Sequence, residues 1–493
     1  MSNLSDRKNQ SRVIVIGAGI GGITAGALLS NKGYNVLVLD QAIVPGGCAS
    51  TFKRQGFTFD VGATQVAGLE PGGIHHRIFS ELNIELPAAT PCDPACAVYL
   101  PGESTPINVW RDAEKWQEER QKQFPGSESF WQLLTTLFQA SWEFQGRDPV
   151  LPPRNLWDLK QLIKAVRPST FITAPFTLFT VGDALRLCGL GNDKRLRTFL
   201  DLQLKLYSQV SAEETALLYA ATALNVSQLP QGLFHLQGSM QVLSDRLVES
   251  LERDGGKLLM RHTVEKIKVE NNQAKSVSIK NQKTGETWTE SADHIIANVT
   301  VENLVQLLGE NAPWGYKQRV EKLPPASGAF VVYIGVDQSA IPSNCPPHLQ
   351  FLYDINGPIG ENNSLFVSVS HEGDGRAPLG KATIIATENY EELKQKFTQE
   401  AISKLSQYFY LKPETIIYVE AATPRTFANY TGREKGIVGG IGQRISTFGP
   451  FGFANRTPIN NLWLVGDSTH PGEGTAGVSY SALTVVRQIQ SQG

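Results

Sequence analysis

The first chemistry legible in the chain lies in the run Gly17-Ala18-Gly19-Ile20-Gly21-Gly22. Gly17 allows a tight turn, Gly19 lets the backbone approach an anion, and Gly22 lets a following helix pack closely on the preceding strand. The free N–H groups and the dipole at that helix's start then favour a pyrophosphate. Asp40 lies 18 residues beyond Gly22, where an acid accepts bonds from ribose hydroxyls. An acid there suits an adenosine ribose that carries no 2'-phosphate.

These residues need a frame, and the flanking sequence provides one. Val13 to Ile16 reads as a short buried parallel strand, and Ile23 to Lys32 as a helix stopped near Gly33. Val36 to Leu39 is a second buried strand, closed by Asp40. A glycine motif alone is weak evidence. Set between a strand and a helix, with an acid ending the next strand, it specifies a dinucleotide site, though not which dinucleotide.

Further along, helical patterns separated by prolines dominate residues 100–235. A helix is expected from Gly238 to Arg253. Strands are expected at Leu258 to Met260, Val264 to Val269, Ser276 to Ile279, His294 to Ala297, Phe330 to Val336, Gln350 to Tyr353, Leu365 to Val369 and Thr383 to Thr387. A helix from Tyr390 to Phe409 and a strand near Thr415 to Val419 follow. A last buried strand, Leu462 to Val465, runs into Gly466-Asp467 and a helix from about Gly474 to Gln490.

Composition excludes several classes. With 45 basic and 47 acidic residues the net charge is -2, which gives no reason to expect a nucleic-acid partner. The start, Met1 to Gln10, is polar and has no apolar signal core, and no apolar run is long enough to span a bilayer. Five scattered cysteines argue for a reducing compartment. Cys92 and Cys96 lack zinc-ligand spacing and read as two unconnected thiols. His75 and His76 are adjacent on a helix start, so one ring should be buried and the other exposed, and no metal is expected.

Three segments carry a family resemblance: Pro45-Gly46-Gly47, then Gly56-Phe57-Thr58-Phe59-Asp60-Val61-Gly62, and, far away, Leu464 to Gly477 with its core Gly466-Asp467-Ser468-Thr469-His470-Pro471-Gly472-Glu473-Gly474-Thr475-Ala476-Gly477. Together with His235 to Met240, Ser370-His371, Asp374, Ala377 to Lys381, Thr423 to Thr426 and Gly439-Gly440, they resemble the bacterial-type phytoene desaturase and carotenoid isomerase family, within the amine-oxidase-like flavoproteins. The run Gly62 to Gly73 most resembles the branch that acts at the 3',4' carbons of a carotenoid.

The resemblance implies FAD and an α/β fold, in which a Rossmann-like FAD-binding domain carries an inserted substrate domain of mixed helices and antiparallel sheet. Residues 11–98, 236–300 and 431–493 would form the FAD-binding domain, 99–235 a helical cap, and 301–430 the antiparallel sheet. Gly17, Gly19, Gly22, Gly46, Gly47, Gly62 and Gly466 would surround the cofactor, with Asp40 on the adenosine ribose and the backbone of Val264 on the adenine. Asp467 would hold the ribityl chain and pyrophosphate. Gly474, Thr475 and Ala476 would start a helix aimed at the flavin, whose reduced form is negative near N1 and O2.

Two positions depart from the family pattern. Cys48 stands where the desaturases have Arg, with Arg54 or Lys53 as the nearest substitutes. Glu473 stands where an uncharged residue is common. It is either a catalytic base or redox-tuning group beside the flavin, or a solvated loop acid. The implied reaction is introduction of a C=C bond into a lipophilic carotenoid, with cis-trans isomerisation using reduced FAD as the alternative and oxygen or a quinone as electron acceptor. A bilayer-dissolved substrate calls for a peripheral membrane enzyme on the cytoplasmic side. Segment 151–187, with Trp157, Leu159, Ile163, Phe171 and Ile172 interleaved with Lys160, Lys164 and Arg167, is the expected docking element.

Overall fold

The computed structural model describes residues 11–360, 363–388 and 394–492. Met1 to Gln10 and the first residues of the helix expected from Tyr390 lie outside the described residues.

Val13 to Ile16 and Val36 to Leu39 are apolar throughout because their strands are covered on both faces. They form the centre of a five-stranded parallel sheet, in the spatial order Leu462–Leu464, His294–Ala297, Arg12–Ile16, Asn35–Asp40, Lys257–Met260. One face, including Val13, Val15, Val36 and Val38, packs on residues of the helices Ile20–Asn31, Gln241–Arg253 and Thr475–Gln490. The other, including Ile14, Ile16 and Leu39, packs on the antiparallel sheet of His262–Glu270, Gln273–Asn281 and Thr287–Ser291 and on the helix Val301–Leu308. Every strand of the parallel sheet comes from segments 11–98, 236–300 and 431–493.

A seven-stranded sheet forms the second layer. Phe330–Asp337, Lys381–Glu388, Ser364–Val369, His348–Leu352 and Ile416–Ala422 pair antiparallel, and His348–Leu352 pairs parallel with Cys96–Tyr99. Cys96–Tyr99 and Ile107–Val109 therefore belong to the substrate-side sheet, although the first falls in the segment read with the glycine turn. Helices Glu128–Gln145, Lys194–Tyr207 and Leu217–Asn225 share an apolar core with these two strands. The helix expected from Tyr390 is described over Lys394–Leu405. No helix among the described residues is long and apolar enough to cross a membrane.

Candidate dinucleotide and active site

The chain turns sharply at Gly17 (φ 98°), whose N–H donates to Leu39 O at 2.7 Å. A Cβ on Gly17 would lie 2.5 Å from the Asn298 carbonyl oxygen. A Cβ on Gly22 would lie 2.0 Å from the Gly17 carbonyl oxygen, so Gly22 packs on the turn itself. Gly22 does not face the cavity; Gly17 and Gly19 do. The second glycine pair closes on the first. Gly46 N–H donates to Ala18 O at 2.8 Å, and both Gly46 (φ 110°) and Gly47 (φ 60°) adopt backbone conformations that favour glycine.

Asp40 accepts Ala18 N–H at 2.6 Å and Ala42 N–H at 2.7 Å, one on each oxygen. Burial raises its pKa and the two backbone donors oppose that rise. The acid thus buttresses the glycine turn as well as facing the cavity. Val264 lines the cavity beside it, next to a bulge in its strand, while its side chain packs into the core with Ile14 and Ile16.

One continuous cavity of about 1020 Å³ is bounded by Gly17, Gly19, Asp40, Gly46, Gly47, Gly62, Val264, Gly466, Asp467, Glu473, Gly474, Thr475 and Ala476. It therefore gathers the residues singled out in the sequence for cofactor or catalysis except Gly22 and the two substitute cations, Lys53 and Arg54. Two helices present uncapped N-termini at this space: Ile20–Asn31, preceded by Gly19, and Thr475–Gln490, preceded by Gly474 (φ 89°). Neither has a side-chain cap, and the buried Thr475 Oγ1 has no partner. Free donors at two helix ends along one cavity suit an elongated ligand with a pyrophosphate near one end and an anionic ring at the other. FAD fits that description.

Three lining residues escaped the sequence reading. Asn298 follows the strand His294–Ala297 and donates to Gly17 O at 3.3 Å, and its side chain also lies against Gly19, Gly21, Gly22 and Gly466. Arg433 pairs with Asp467 at 2.7 Å and donates to Gly439 O. It is also close enough to Cys48 to oppose the burial that pushes that thiol's pKa up. Arg433 is thus the lining cation nearest Cys48, which replaces the family's Arg, and the expected substitutes do not line the cavity. Arg54 and Lys53 are exposed and absent from the lining, Arg54 reaching Glu420 at 3.7 Å. Gln209 donates to Glu473 Oε2 at 3.1 Å.

Glu473 is not a solvated loop acid. Its Oε2 accepts from Gln209 and from Gly440 N–H (3.3 Å), and its Oε1 is buried without a partner. Desolvation pushes its pKa up to about 8, with the two donors pulling the other way. His470 does not line the cavity. Its Nε2 meets Gln145 Nε2 at 2.6 Å, it rests against Phe448 and Tyr480, and burial lowers its pKa to about 4. His75 is buried, with its pKa likewise near 4, and His76 is partly exposed, as expected. All five cysteines are free, and among the described residues no cluster suits a metal.

The family-like segments around 235–240 and 370–381 serve the frame. Arg376 donates to Asp60 Oδ2 at 2.9 Å and to Leu236 O at 2.7 Å, Asp374 meets His235 at 3.1 Å, and Met240 N–H donates to Asp60 Oδ1 at 2.8 Å. This fully buried ionic network ties the cofactor domain to the seven-stranded sheet.

Fold and site together define a protein of the amine-oxidase-like architecture with a dinucleotide cavity that FAD fits. The family model of an NAD(P)-binding Rossmann-like domain matches residues 15–82. Cyclohexylamine oxidase from Brevibacterium oxydans shares the fold, with a TM-score of 0.62 at 17% identity, over 98% of this chain and 100% of that one. Along nearly its whole length the chain is related to carotenoid isomerases and desaturases. It is 27% identical to prolycopene isomerase 2 of an Oncidium hybrid, over 97% of this chain and 83% of that protein. It is 23% identical to the zeta-carotene-forming phytoene desaturase of Myxococcus xanthus, over 97% and 94%.

Proposed function

We propose that the protein is an FAD-dependent carotenoid desaturase that introduces a C=C bond into a polyene, at the 3',4' position, with oxygen or a quinone as electron acceptor. The observation that supports this most is the continuity of the cavity. The dinucleotide cradle opens without a break into a space walled by Trp142, Tyr207, Tyr219, Val226, Leu233 and Phe366, which suits a long apolar molecule laid against the flavin end.

When bound, FAD supplies the two-electron chemistry. Asn298 and the glycine turn would hold the pyrophosphate, Arg433 would offset its charge, Asp467 would orient the ribityl chain, and the helix start at Gly474 to Ala476 would hold the flavin. Of the two hydrogens the substrate would lose, FAD would take one with its electron pair, and Glu473 would accept the other as a proton. The aromatic and aliphatic walls exclude water from the developing charge.

The polyene has to be drawn from a bilayer, and segment 151–187 supplies a docking surface. Leu156 is 84% exposed, Phe171 67%, and Ile163 and Leu178 64% each, flanked by exposed Lys160, Lys164 and Arg167. The helix Leu156–Ala165 is pinned from its inner side, where buried Asp158 pairs with Arg456 at 3.0 Å and accepts from Gln488 at 3.0 Å. Phe176 and Phe179 of the same segment pack on the helical core instead of facing outward.

A second reading, cis-trans isomerisation with reduced FAD, is favoured by the Oncidium relative's name and by the enclosed Glu473, a neutral acid below about pH 8 that can give a proton as well as take one. Anaerobic addition of carotenoids in liposomes to the oxidised FAD-loaded protein tests the first reading. Stoichiometric bleaching of the flavin absorbance is expected. Absence of bleaching, with isomer conversion only after prior reduction, overturns it in favour of the second.

A further inference from the structure

Gln209 follows directly on the helix Lys194–Tyr207 and its Ccap residue Ser208, and has a φ of 65°. A non-glycine residue in this left-handed region is uncommon, and persists where its surroundings hold it there. Both sides of Gln209 are fixed. Ser208 is fully buried, its carbonyl oxygen accepts Gln443 N–H at 2.9 Å, and its hydroxyl meets Thr215 Oγ1 at 2.7 Å. Val210 O in turn lies within 3.1 Å of the Ser208 hydroxyl.

The outcome of this backbone is the placement of one amide. Gln209 Nε2 and Gly440 N–H both donate to Glu473 Oε2, and the contact is formed over the bare Cα of Gly439 (φ 84°). A Cβ on Gly439 would lie 2.5 Å from Glu473 Oε2 and 2.7 Å from Gln209 Nε2. Two segments distant from Glu473 in sequence thus converge on one of its carboxyl oxygens, leaving Oε1 as the only oxygen of Glu473 without a partner, inside the cavity wall.

We propose that Gln209 is a positioning residue: it fixes the Glu473 carboxyl with Oε2 tied and Oε1 free to exchange a proton with the substrate. The inference rests on the reading of Glu473 as the proton acceptor. In that step a substrate C–H bond breaks and an O–H bond forms at Oε1, while the second hydrogen leaves with its electron pair to the flavin. Gln209 belongs to the helical insert and Glu473 to the cofactor domain, so the insert sets the proton affinity of a carboxyl it does not contain. A donor to Oε2 favours the ionised form, and its loss raises the pKa of Glu473.

The test uses Gln209→Met, which keeps length without a donor, and Gln209→Gly, which also relieves the left-handed backbone. Glu473→Gln serves as reference. The carbonyl stretch of the protonated carboxyl is followed by infrared difference spectroscopy on protein carrying ¹³C-glutamate, without FAD, across the alkaline range. Turnover of carotenoid by the FAD-loaded protein is measured alongside.

A band titrating near pH 8 is expected in the wild type and missing in Glu473→Gln, with the midpoint moved up by about one unit in both Gln209 variants. kcat should fall about tenfold with KM and FAD affinity unchanged. An unmoved midpoint in both variants overturns the role of Gln209. A moved midpoint with full turnover in Glu473→Gln sustains the positioning of the carboxyl and overturns its use as the proton acceptor.

Discussion

At the glycine-turn end of the cavity, the groups that surround the ligand space are mostly backbone: Gly17, Gly19, Gly46 and Gly47, with Asp40 bonded to two main-chain amides. At the Glu473 end they are side chains brought from distant parts of the chain: Gln209 from the helical insert and the aromatic walls from three helices and a sheet. The first end is specified by steric limits, since added Cβ atoms would sit 2.0 to 2.7 Å from neighbouring atoms at Gly17, Gly19 and Gly22. It can hold a dinucleotide and little else. The second end depends on which side chains the insert supplies, so substrate and reaction can change there while the cofactor stays the same.

Exchanging the chemistry of one end should leave the other intact, and the largest effect belongs to Glu473. Glu473→Gln should cut turnover by about 100-fold or more and leave FAD affinity within a factor of two or so. Its pH dependence sharpens the reading. A proton acceptor must be ionised, so desaturation should rise with pH through about 8, whereas an isomerisation that needs the neutral acid should fall over the same range. Steady-state pH profiles of wild type and variant, read with FAD titrations, check both points.

Next in size is the steric end. Gly22→Ala places a methyl against the Gly17 carbonyl and should weaken FAD binding about 10- to 100-fold, by the roughly 1–3 kcal/mol of overpacking. FAD affinity by fluorescence quenching measures it, and an unchanged affinity would break the claim that this end is set by close packing.

Arg433→Ala should cost about tenfold in FAD affinity, because it removes a lining cation and leaves Asp467 without its ion pair near the pyrophosphate. Arg54→Ala, the control, should have no effect.

The smallest effect concerns stability. His75, beneath the glycine helix, and His470, at the flavin end, both stay neutral in the folded protein down to about pH 4. The unfolded chain protonates them near 6.5, so between these values it binds more protons and stability falls as pH falls. The slope is up to about 1.4 kcal/mol per pH unit for each histidine. Urea midpoints of His75→Gln and His470→Gln across this window should each show a shallower fall than wild type.

The glycine turn, Asp40 and the segment Gly466 to Gly477 were legible because they are local: spacing, strand periodicity and helix starts lie within a few residues of one another. The strands on both sides were legible for the same reason, with His294–Ala297 matching its expected bounds. Arg433 and Gln209 were not, since the cavity carboxylates they hold, Asp467 and Glu473, lie 34 and 264 positions away. Asn298 left a faint signal as a polar residue ending a buried strand, the place Asp40 holds in the neighbouring one. The hairpin Thr51–Arg54 with Phe57–Asp60 went unread because Thr51-Phe52-Lys53-Arg54 is half charged and, unlike the buried strands, offers no continuous apolar run. The ionic network of Asp60, Arg376, Asp374 and His235 was visible only as family-like segments, and its structural purpose emerges once the two domains are packed together.

The most direct test of the account is the mass of the product. FAD-loaded protein is incubated with candidate carotenoids in liposomes under air or with a quinone, and the products are separated and weighed by mass spectrometry. Loss of two hydrogens from a carotenoid whose saturated C–C bond adjoins the polyene is the predicted result. Unchanged mass with altered absorption would contradict it.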